Sequence, residues 1–225
     1  MSVDALIREL VAGKDFADVG GLWGIMNEKV SCAANAKARS VTMIDITSED
    51  AELWQQFREW CAERDVSNCR CIAADIHDDA LGAACGPFDV VHCNGLLYHC
   101  ARPLSALDRL RRLCAEHLIL GTAVISTSTA GQSRSIQCEA GGALFVPGLL
   151  EKQREAAASY FHEVGAETMI GLDEPCDWNI DKYDPWWWLF TVEHVRGLLN
   201  VSGFNVRATW MTWNDRTAYF HASLR

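Results

Sequence analysis

The sequence has little positive charge, no long apolar run and no paired-cysteine motif. Its 225 residues include 20 Lys and Arg against 30 Asp and Glu, which gives a formal net charge of −10. Nucleic-acid-binding proteins usually carry a basic stripe that displaces counterions from phosphate. The longest basic cluster here is Arg109, Arg111 and Arg112, which fits the solvent face of a helix. We therefore expect no nucleic-acid partner.

No apolar run approaches the ~20 residues that a membrane helix needs. The segment from Met1 to Leu10 also lacks a basic stretch followed by a continuous apolar core. These absences predict a cytoplasmic protein without a membrane partner. The 49% hydrophobic and 22% charged residues exclude disorder and coiled-coil or collagen-like architecture.

Ten cysteines are present, but no two of them form a CxxC pair. Cys69 and Cys71 form CxC, and Cys61 lies eight residues before Cys69. The chain is long enough to fold without cross-links, so we expect reduced thiols rather than a disulfide framework. No second cysteine pair stands at zinc-finger distance, and we expect no structural metal.

Strand-like apolar runs alternate with segments of helical periodicity over the first half of the chain. Near-continuous apolar strands separated by helices are typical of a parallel sheet covered on both faces, which predicts a doubly wound α/β fold. The alternation stops at Ser126, and the segment 126–185 is long enough to predict an inserted lid within a single domain spanning 1–225. After a further helix, two strands form a predicted antiparallel hairpin at the sheet edge. The predicted strands are 16–19, 41–46, 69–74, 88–93, 117–125, 204–213 and 217–224.

An acidic residue stands inside the glycine turn that follows the first predicted strand, in the segment Asp18-Val-Gly-Gly-Leu-Trp-Gly24. Gly20 and Gly21 would let the backbone approach a ligand at the carboxyl ends of the strands. A pyrophosphate would be repelled by Asp18, whereas a ligand with an amino group suits it. The spacing also departs from GxGxxG, which leaves an NAD-dependent oxidoreductase as a minor alternative.

Two more carboxylates end the next predicted strands. Asp45 lies 21 residues after Gly24, the position from which a carboxylate accepts hydrogen bonds from ribose hydroxyls. Asp75 ends the third strand, where its carboxylate, with the backbone of Ile76, would reach an adenine amino group. Together these features predict an adenosine-containing ligand.

From residue 16 to 125, this order of motifs resembles the class I S-adenosylmethionine-dependent methyltransferases. The resemblance implies a Rossmann-like, mostly parallel seven-stranded sheet, and the terminal hairpin fits the family's reversed last strand. The stretch 88–125 is similar to the branch of tRNA wobble-uridine carboxymethyltransferases, but the charge of −10 speaks against a tRNA acceptor. Leu22 stands where the family loop normally has glycine. The resemblance implies S-adenosylmethionine as cofactor, held by Asp18, Gly20, Gly21 and Gly24 at the methionine end, Asp45 and Ile46 at the ribose, Asp75 and Ile76 at the adenine, and Asn94 and Gly95 at the floor.

Aromatic residues mark the expected acceptor site. Tyr98 and His99 leave the fourth strand near the expected methyl position, so both are catalytic candidates, with His99 as a base for a hydroxyl or amine. Three consecutive tryptophans cannot all face a core, so at least one should lie at a cleft or an interface, including that of a homodimer. The alternative is a hydrophobic plug that anchors the lid. The substrate-binding candidates are Tyr183, Trp186, Trp187, Trp188 and His162, and His162 and Tyr183 are also alternative bases.

Five acidic residues surround the tryptophan run, which suits either a solvated loop or a cationic amine substrate. The sequence thus predicts methyl transfer to an oxygen or nitrogen atom of a small molecule, in specialised metabolism. An RNA-modifying methyltransferase and a non-catalytic ligand-binding protein on the same fold remain alternatives. The five acids are Asp173, Glu174, Asp177, Asp181 and Asp184.

Overall fold

A computed structural model describes residues 1–79, 81–126 and 138–225. Its strands are β1 (Asp15–Val19), β2 (Ser40–Asp45), β3 (Cys69–Ala73), β4 (Phe88–Asn94), β5 (Cys114–Ala123), β6 (Ala143–Phe145), β7 (Trp188–Phe190), β8 (Phe204–Thr212) and β9 (Thr217–Leu224). Its α-helices are α1 (Val3–Leu10), α2 (Val30–Asn35), α3 (Glu52–Ala62), α4 (Leu81–Cys85), α5 (Pro103–Leu113), α6 (Glu151–His162) and α7 (Val192–Val201).

Seven strands form one sheet in the order β3-β2-β1-β4-β5-β9-β8. The first five are parallel, and β9 runs antiparallel to both of its neighbours. The predicted seven-stranded, mostly parallel sheet with an antiparallel terminal hairpin is thereby confirmed. The strand order reverses between β1 and β4, and ligands of such sheets bind in the crevice outside the carboxyl ends at this point.

Both faces of the sheet are buried, which explains the near-continuous apolar strands. Val90 and Val91, adjacent on β4, are both fully buried on opposite faces. Val90 joins the cluster packed under α1, α2 and α3, which includes Phe57. Val91 joins the cluster under α5 and α7, which includes Leu110 and Leu199.

The insert contributes a third hydrophobic cluster, which includes Phe161 of α6, Met169 and Trp186. Strands β6 and β7 pair antiparallel. A backbone hydrogen bond from the Ile125 N–H to the Phe190 carbonyl, 2.8 Å, joins β7 to the segment that follows β5 of the main sheet. Residues 127–137 of the predicted lid lie outside the described residues. The described helices include none that is long and apolar enough to cross a membrane.

The helix predicted to follow the glycine turn is divided in two. A 3-10 turn over Leu22–Asn27 comes first, and α2 begins only at Val30. The helix is interrupted because the Lys29 N–H donates to the Asp18 carboxylate at 2.8 Å and not to a carbonyl of the preceding turn. Elements α4, β6 and β7 were not predicted, since three to five residues are too few to show a periodicity.

Candidate active site

Asp18 is almost fully buried, at 1% exposure, in the strand that precedes the glycine turn. One carboxylate oxygen lies 2.7 Å from Nδ1 of His92 on β4. The other accepts the Lys29 N–H at the start of α2, 2.8 Å. Asp18 therefore ties together β1, β4 and α2, and fixes the path of the turn between them. The Nε2 atom of His92 is buried without a hydrogen-bond partner among the described residues.

The glycine turn depends on two glycines for different reasons. Gly20 has φ +74°, a left-handed conformation that favours glycine, and its N–H donates to the Ile44 carbonyl at 2.8 Å. Gly21 has an ordinary φ of −87°, but a Cβ there would lie 2.6 Å from a carboxylate oxygen of Asp18. Gly24 follows within the 3-10 turn. The turn is thus built against the Asp18 carboxylate.

Leu22, which stands where the family has glycine, is fully buried and turns into the core beneath α2 and α3. Its side chain therefore belongs to the buried cluster that also contains Phe57 and Met43. The next residue, Trp23, is 84% exposed. The substitution of Leu22 changes how the loop is anchored, and the loop itself remains at the carboxyl end of β1.

Asp45 is buried at the end of β2 and holds the loops around it. One oxygen accepts the Leu22 N–H at 3.1 Å. The other accepts the N–H and the hydroxyl of Thr47, at 3.0 and 2.7 Å. A carboxylate has about four acceptor positions, so about one stays available for a ribose hydroxyl. Ile46 beside it is half exposed.

Asp75 follows β3, and the insert reaches it directly. One of its oxygens accepts the His77 N–H at 2.8 Å and the Tyr183 hydroxyl at 2.5 Å. The rings of His77 and Tyr183 also stack, with centroids 5.9 Å apart. Ile76 is buried beside the carboxylate. Tyr183 therefore links the insert to the predicted adenine-binding edge.

Asn94 and Gly95 end β4 in a tight turn. Gly95 has φ +78°, and its N–H donates to the Gly121 carbonyl at 3.1 Å. A Cβ at Gly121 would lie 2.1 Å from the Asn94 side-chain oxygen and 2.5 Å from the Tyr219 ring. Gly121 therefore makes room for Asn94 at the floor. Sequence reasoning missed this glycine, although a glycine inside an apolar strand is a signal of close approach.

Tyr98 and His99 lie together on the turn after β4, with ring centroids 4.1 Å apart. Burial raises the pKa of Tyr98 to about 12, so its phenol stays protonated at neutral pH and can donate a hydrogen bond. Burial lowers the pKa of His99 to about 4, against the weaker opposing effect of the Pro185 carbonyl. That carbonyl lies 3.0 Å from Nδ1, which assigns the proton of the neutral ring to Nδ1 and leaves Nε2 as an acceptor.

The low pKa of His99 predicts an acid-sensitive contribution to stability. Because the folded value of about 4 is below the unfolded value of 6.5, the unfolded chain binds more protons between these limits. The contribution of His99 to the free energy of unfolding is fully present above pH 6.5 and falls as the pH drops towards 4. The loss at pH 5 is about 2 kcal/mol. Urea unfolding of the wild type and His99→Gln at pH 7.5 and pH 5 measures this. The wild type should lose more stability than the variant, and equal losses would contradict the assignment.

The three tryptophans are packed rather than free. Trp186 and Trp187 are each 6% exposed, and Trp188 is half-buried on β7. Trp186 lies against Tyr98, with centroids 4.4 Å apart, and against the ring of His99 at 6.0 Å. Trp187 and Trp188 instead pack on residues of the insert and of β6. Of the three, Trp186 is the one whose ring lies against the rings of Tyr98 and His99.

His162 lies apart from this group, at the end of α6. Its Nδ1 is 2.7 Å from the Ala166 carbonyl and its Nε2 is 3.1 Å from the Asp173 carboxylate, both within the insert. The acidic residues around the tryptophans are exposed, and Asp181 lies 3.8 Å from Arg102. These contacts are typical of a solvated acidic surface.

The residues present fit the expected cofactor, S-adenosylmethionine. The left-handed Gly20, the carboxylate of Asp45 with a remaining acceptor position, and the carboxylate of Asp75 lie at the carboxyl ends of adjacent strands. These are the donor and acceptor types that a ribose and an adenine amino group need.

Comparisons with known proteins agree with this architecture. Residues 17–118 match the family described as a methyltransferase domain. A comparison with curated proteins gives no match.

Three similar solved structures are methyltransferases. The magnesium protoporphyrin IX methyltransferase of Synechocystis PCC 6803, with bound S-adenosylhomocysteine, has 18% identity and a TM-score of 0.58, over 99% of this chain and 82% of that chain. The ribosomal protein L11 methylase of Lactobacillus delbrueckii subsp. bulgaricus has 14% identity and a TM-score of 0.54, over 99% and 76%. The 1,6-didemethyltoxoflavin-N1-methyltransferase of Burkholderia thailandensis has 14% identity and a TM-score of 0.56, over 98% and 76%. At these identities the likeness concerns the fold.

Proposed function

Since the chain is an S-adenosylmethionine-dependent methyltransferase of class I fold, we propose that it methylates an oxygen or nitrogen atom of a small molecule. The acceptor binds between the turn after β4 and the insert, which selects it. The insert belongs to the same single domain, residues 1–225, as the cofactor site. We place the reaction in specialised metabolism, in the cytoplasm.

The observation that carries this proposal is the way in which the insert covers the turn after β4. The backbone N–H of Trp187 donates to the Tyr98 carbonyl at 2.9 Å, and the Pro185 carbonyl lies 3.0 Å from Nδ1 of His99. Tyr183 reaches across to Asp75. Residues 183–187 thus form a roof over this turn, which is held at three points beside the cofactor-binding edge. A roof of this kind suits a small acceptor that it encloses, because methyl transfer gains from positioning and from the exclusion of water.

The bound cofactor supplies an electrophilic methyl group on a sulfonium. Asp45 and Asp75 bind its adenosine, and the neutral Nε2 of His99 accepts a hydrogen bond from the hydroxyl or amine of the acceptor. The Tyr98 phenol, protonated throughout the physiological pH range, donates a hydrogen bond to a polar atom of the acceptor. The ring of Trp186 beside both residues forms an apolar wall.

Charge favours a small molecule over RNA. The formal net charge of −10 and the exposed acidic residues of the insert oppose a polyanion and are compatible with a cationic amine. Among the similar structures, the magnesium protoporphyrin IX and 1,6-didemethyltoxoflavin enzymes act on small molecules by name, whereas the ribosomal protein L11 methylase acts on a protein. The acceptor class is therefore argued from this chain's own surface.

Calorimetric titration with S-adenosylhomocysteine, followed by an acceptor screen, tests the proposal. NADH serves as the control ligand in the titration. The screen incubates the protein and S-adenosylmethionine with amines, phenols, tRNA and a protein mixture, and mass spectrometry detects a gain of one methyl group. Methylation of an amine or phenol, lost in His99→Ala and Tyr98→Ala, supports the proposal. Methylation of tRNA or protein alone, or binding without turnover of any acceptor, contradicts it.

Removing the Tyr183 hydroxyl should loosen the roof. In Tyr183→Phe, the loss of a hydrogen bond to a carboxylate costs roughly 1–2 kcal/mol. Hydrogen exchange of the Trp187 amide, bonded to Tyr98, should then become about tenfold faster. The Trp186 amide, which donates to the Ile170 carbonyl within the insert, is the internal control. Equal exchange of Trp187 in the variant and wild type would show that Tyr183 does not hold the roof.

A further inference from the structure

Cys61, Cys69 and Cys71 pack together at the outer strand β3, on the face of the sheet opposite the acceptor site. Cys69 and Cys71 lie two residues apart on β3, the outermost strand beside β2, with exposed Arg70 between them. Because side chains alternate along a strand, both thiols face the same side. Helix α3 covers that side, and its Cys61, 3% exposed, belongs to the hydrophobic cluster against which Cys69 and Cys71 pack.

The Cys69 thiol lies next to the other two, and the three thiols are not equivalent. Its S–H donates to the Arg70 carbonyl at 3.5 Å, while interaction with the thiols of Cys61 and Cys71, together with burial, raises its pKa well above the usual range. The interaction with Cys69 lowers the pKa of Cys71 to about 7, with help from the charge of Arg58 one helical turn before Cys61. Cys71 is therefore about half thiolate at pH 7, beside a protonated thiol. This is the arrangement of a reactive cysteine with a resolving partner.

The cluster is accessible from solvent. Cys69 and Cys71 are half-buried on an edge strand, so a small oxidant can reach them. Among the described residues, no group of three or more His, Cys, Asp or Glu side chains is arranged to hold a metal ion. A redox role accounts for the contact between the thiols and the nearby guanidinium.

We propose that Cys71 and Cys69 form a peroxide-reactive thiol pair whose oxidation ends in a disulfide between Cys69 and Cys61. The Cys71 thiolate attacks one oxygen of hydrogen peroxide, so that an S–O bond forms, the O–O bond breaks, and hydroxide leaves and becomes water by taking up the proton that Cys71 released to the solvent when it ionised. The Cys69 thiol then attacks the sulfenic sulfur, and its proton leaves with the oxygen as water. The two thiols have lost two electrons, and peroxide has been reduced to two waters.

The first disulfide, Cys69–Cys71, is strained. Residues two apart in an extended strand have Cα atoms roughly 6.4–6.8 Å apart, at the upper limit of what a disulfide spans. The Cys61 thiol, in contact with Cys69, attacks that sulfur and displaces Cys71. Cys71 is the better leaving group because its thiolate is the more stable one. The product ties α3 to β3.

Peptide mapping tests the proposal directly, because trypsin separates the three cysteines. Cleavage after Arg58, Arg64 and Arg70 places Cys61 on 59–64, Cys69 on 65–70 and Cys71 on the following peptide. The reduced full-length chain is treated with one equivalent of hydrogen peroxide at pH 7, alkylated, and digested without reductant. The expected product is peptide 59–64 linked to peptide 65–70. The absence of any link among these peptides, or links between two chains only, would overturn the proposal.

Variants separate the roles of the three thiols. Cys71→Ser should slow formation of the link at least tenfold, and exposed Arg58→Gln should slow it several-fold without affecting the core. In Cys61→Ser the link should move to Cys69 and Cys71. Cys85→Ser, at a half-buried cysteine whose pKa burial raises, is the matched control and should react as the wild type does. Equal rates in Cys71→Ser and the wild type would show that Cys71 is not the nucleophile.

Discussion

Replacing Asp45 with alanine is expected to weaken the binding of S-adenosylhomocysteine by roughly 5- to 150-fold. The loss of charge-assisted hydrogen bonds to a ribose is worth about 1–3 kcal/mol, and each 1.4 kcal/mol is tenfold. The buried Leu22 N–H also loses its acceptor, which loosens the glycine turn. Calorimetric titration of the folded variant measures the affinity. Unchanged affinity would remove Asp45 from the site.

Two further substitutions separate binding from folding in this experiment. Asp45→Asn keeps one acceptor oxygen for Thr47, but it turns its amide NH2 towards the Leu22 N–H and loses the charge. We therefore expect it to recover part of the stability and little of the affinity. Asp50→Ala removes an exposed acid from the same connection, where Asp50 bonds only to Ser48 among the contacts described. It should leave both quantities unchanged. Equal loss of affinity in Asp50→Ala would indicate a general effect of negative charge.

The parallel sheet could be predicted because its strands are buried on both faces and therefore read as apolar runs. The run Phe88–Asn94 is interrupted only by Asp89, His92 and Asn94, and its boundaries were predicted to within one residue. Beta strand β5 begins three residues earlier than predicted, at Cys114, because α5 passes into it without a loop. Periodicity does not register such a direct junction, since the apolar pattern continues through it.

The three carboxylates of the site could be located because each lies within two residues of the carboxyl end of a parallel strand, and parallel strands place these ends at one edge. Their partners could not be predicted. Tyr183 meets Asp75 across 108 residues of sequence, and His92 meets Asp18 across 74. Such contacts depend on strand order and on the path of the insert, which carry no local signal. The packing of the tryptophans depends on the same long-range path.

The buried Asp18 leaves no room for a side chain at Gly21, so Gly21→Ala should both destabilise the fold and weaken cofactor binding. The new Cβ would lie 2.6 Å from a carboxylate held by His92 and Lys29. Because these two hydrogen bonds hold the Asp18 carboxylate in place, it cannot move away from the new Cβ without breaking one of them. We therefore expect a loss of about 1–3 kcal/mol in the free energy of unfolding and at least a tenfold weaker affinity for S-adenosylhomocysteine.

The backbone at Gly21 has an ordinary φ, so steric conflict with Asp18 is the cause of this loss, and glycine's conformational freedom is not. Gly197→Ala is the matched control, since Gly197 lies in α7 with no atom within 4 Å of a new Cβ. It should stabilise the protein by about 0.5–1 kcal/mol, because alanine is the better helix former. Urea unfolding and calorimetric titration of both variants decide the matter. A Gly21→Ala protein with wild-type stability and affinity would show that the Asp18 carboxylate does not define the turn.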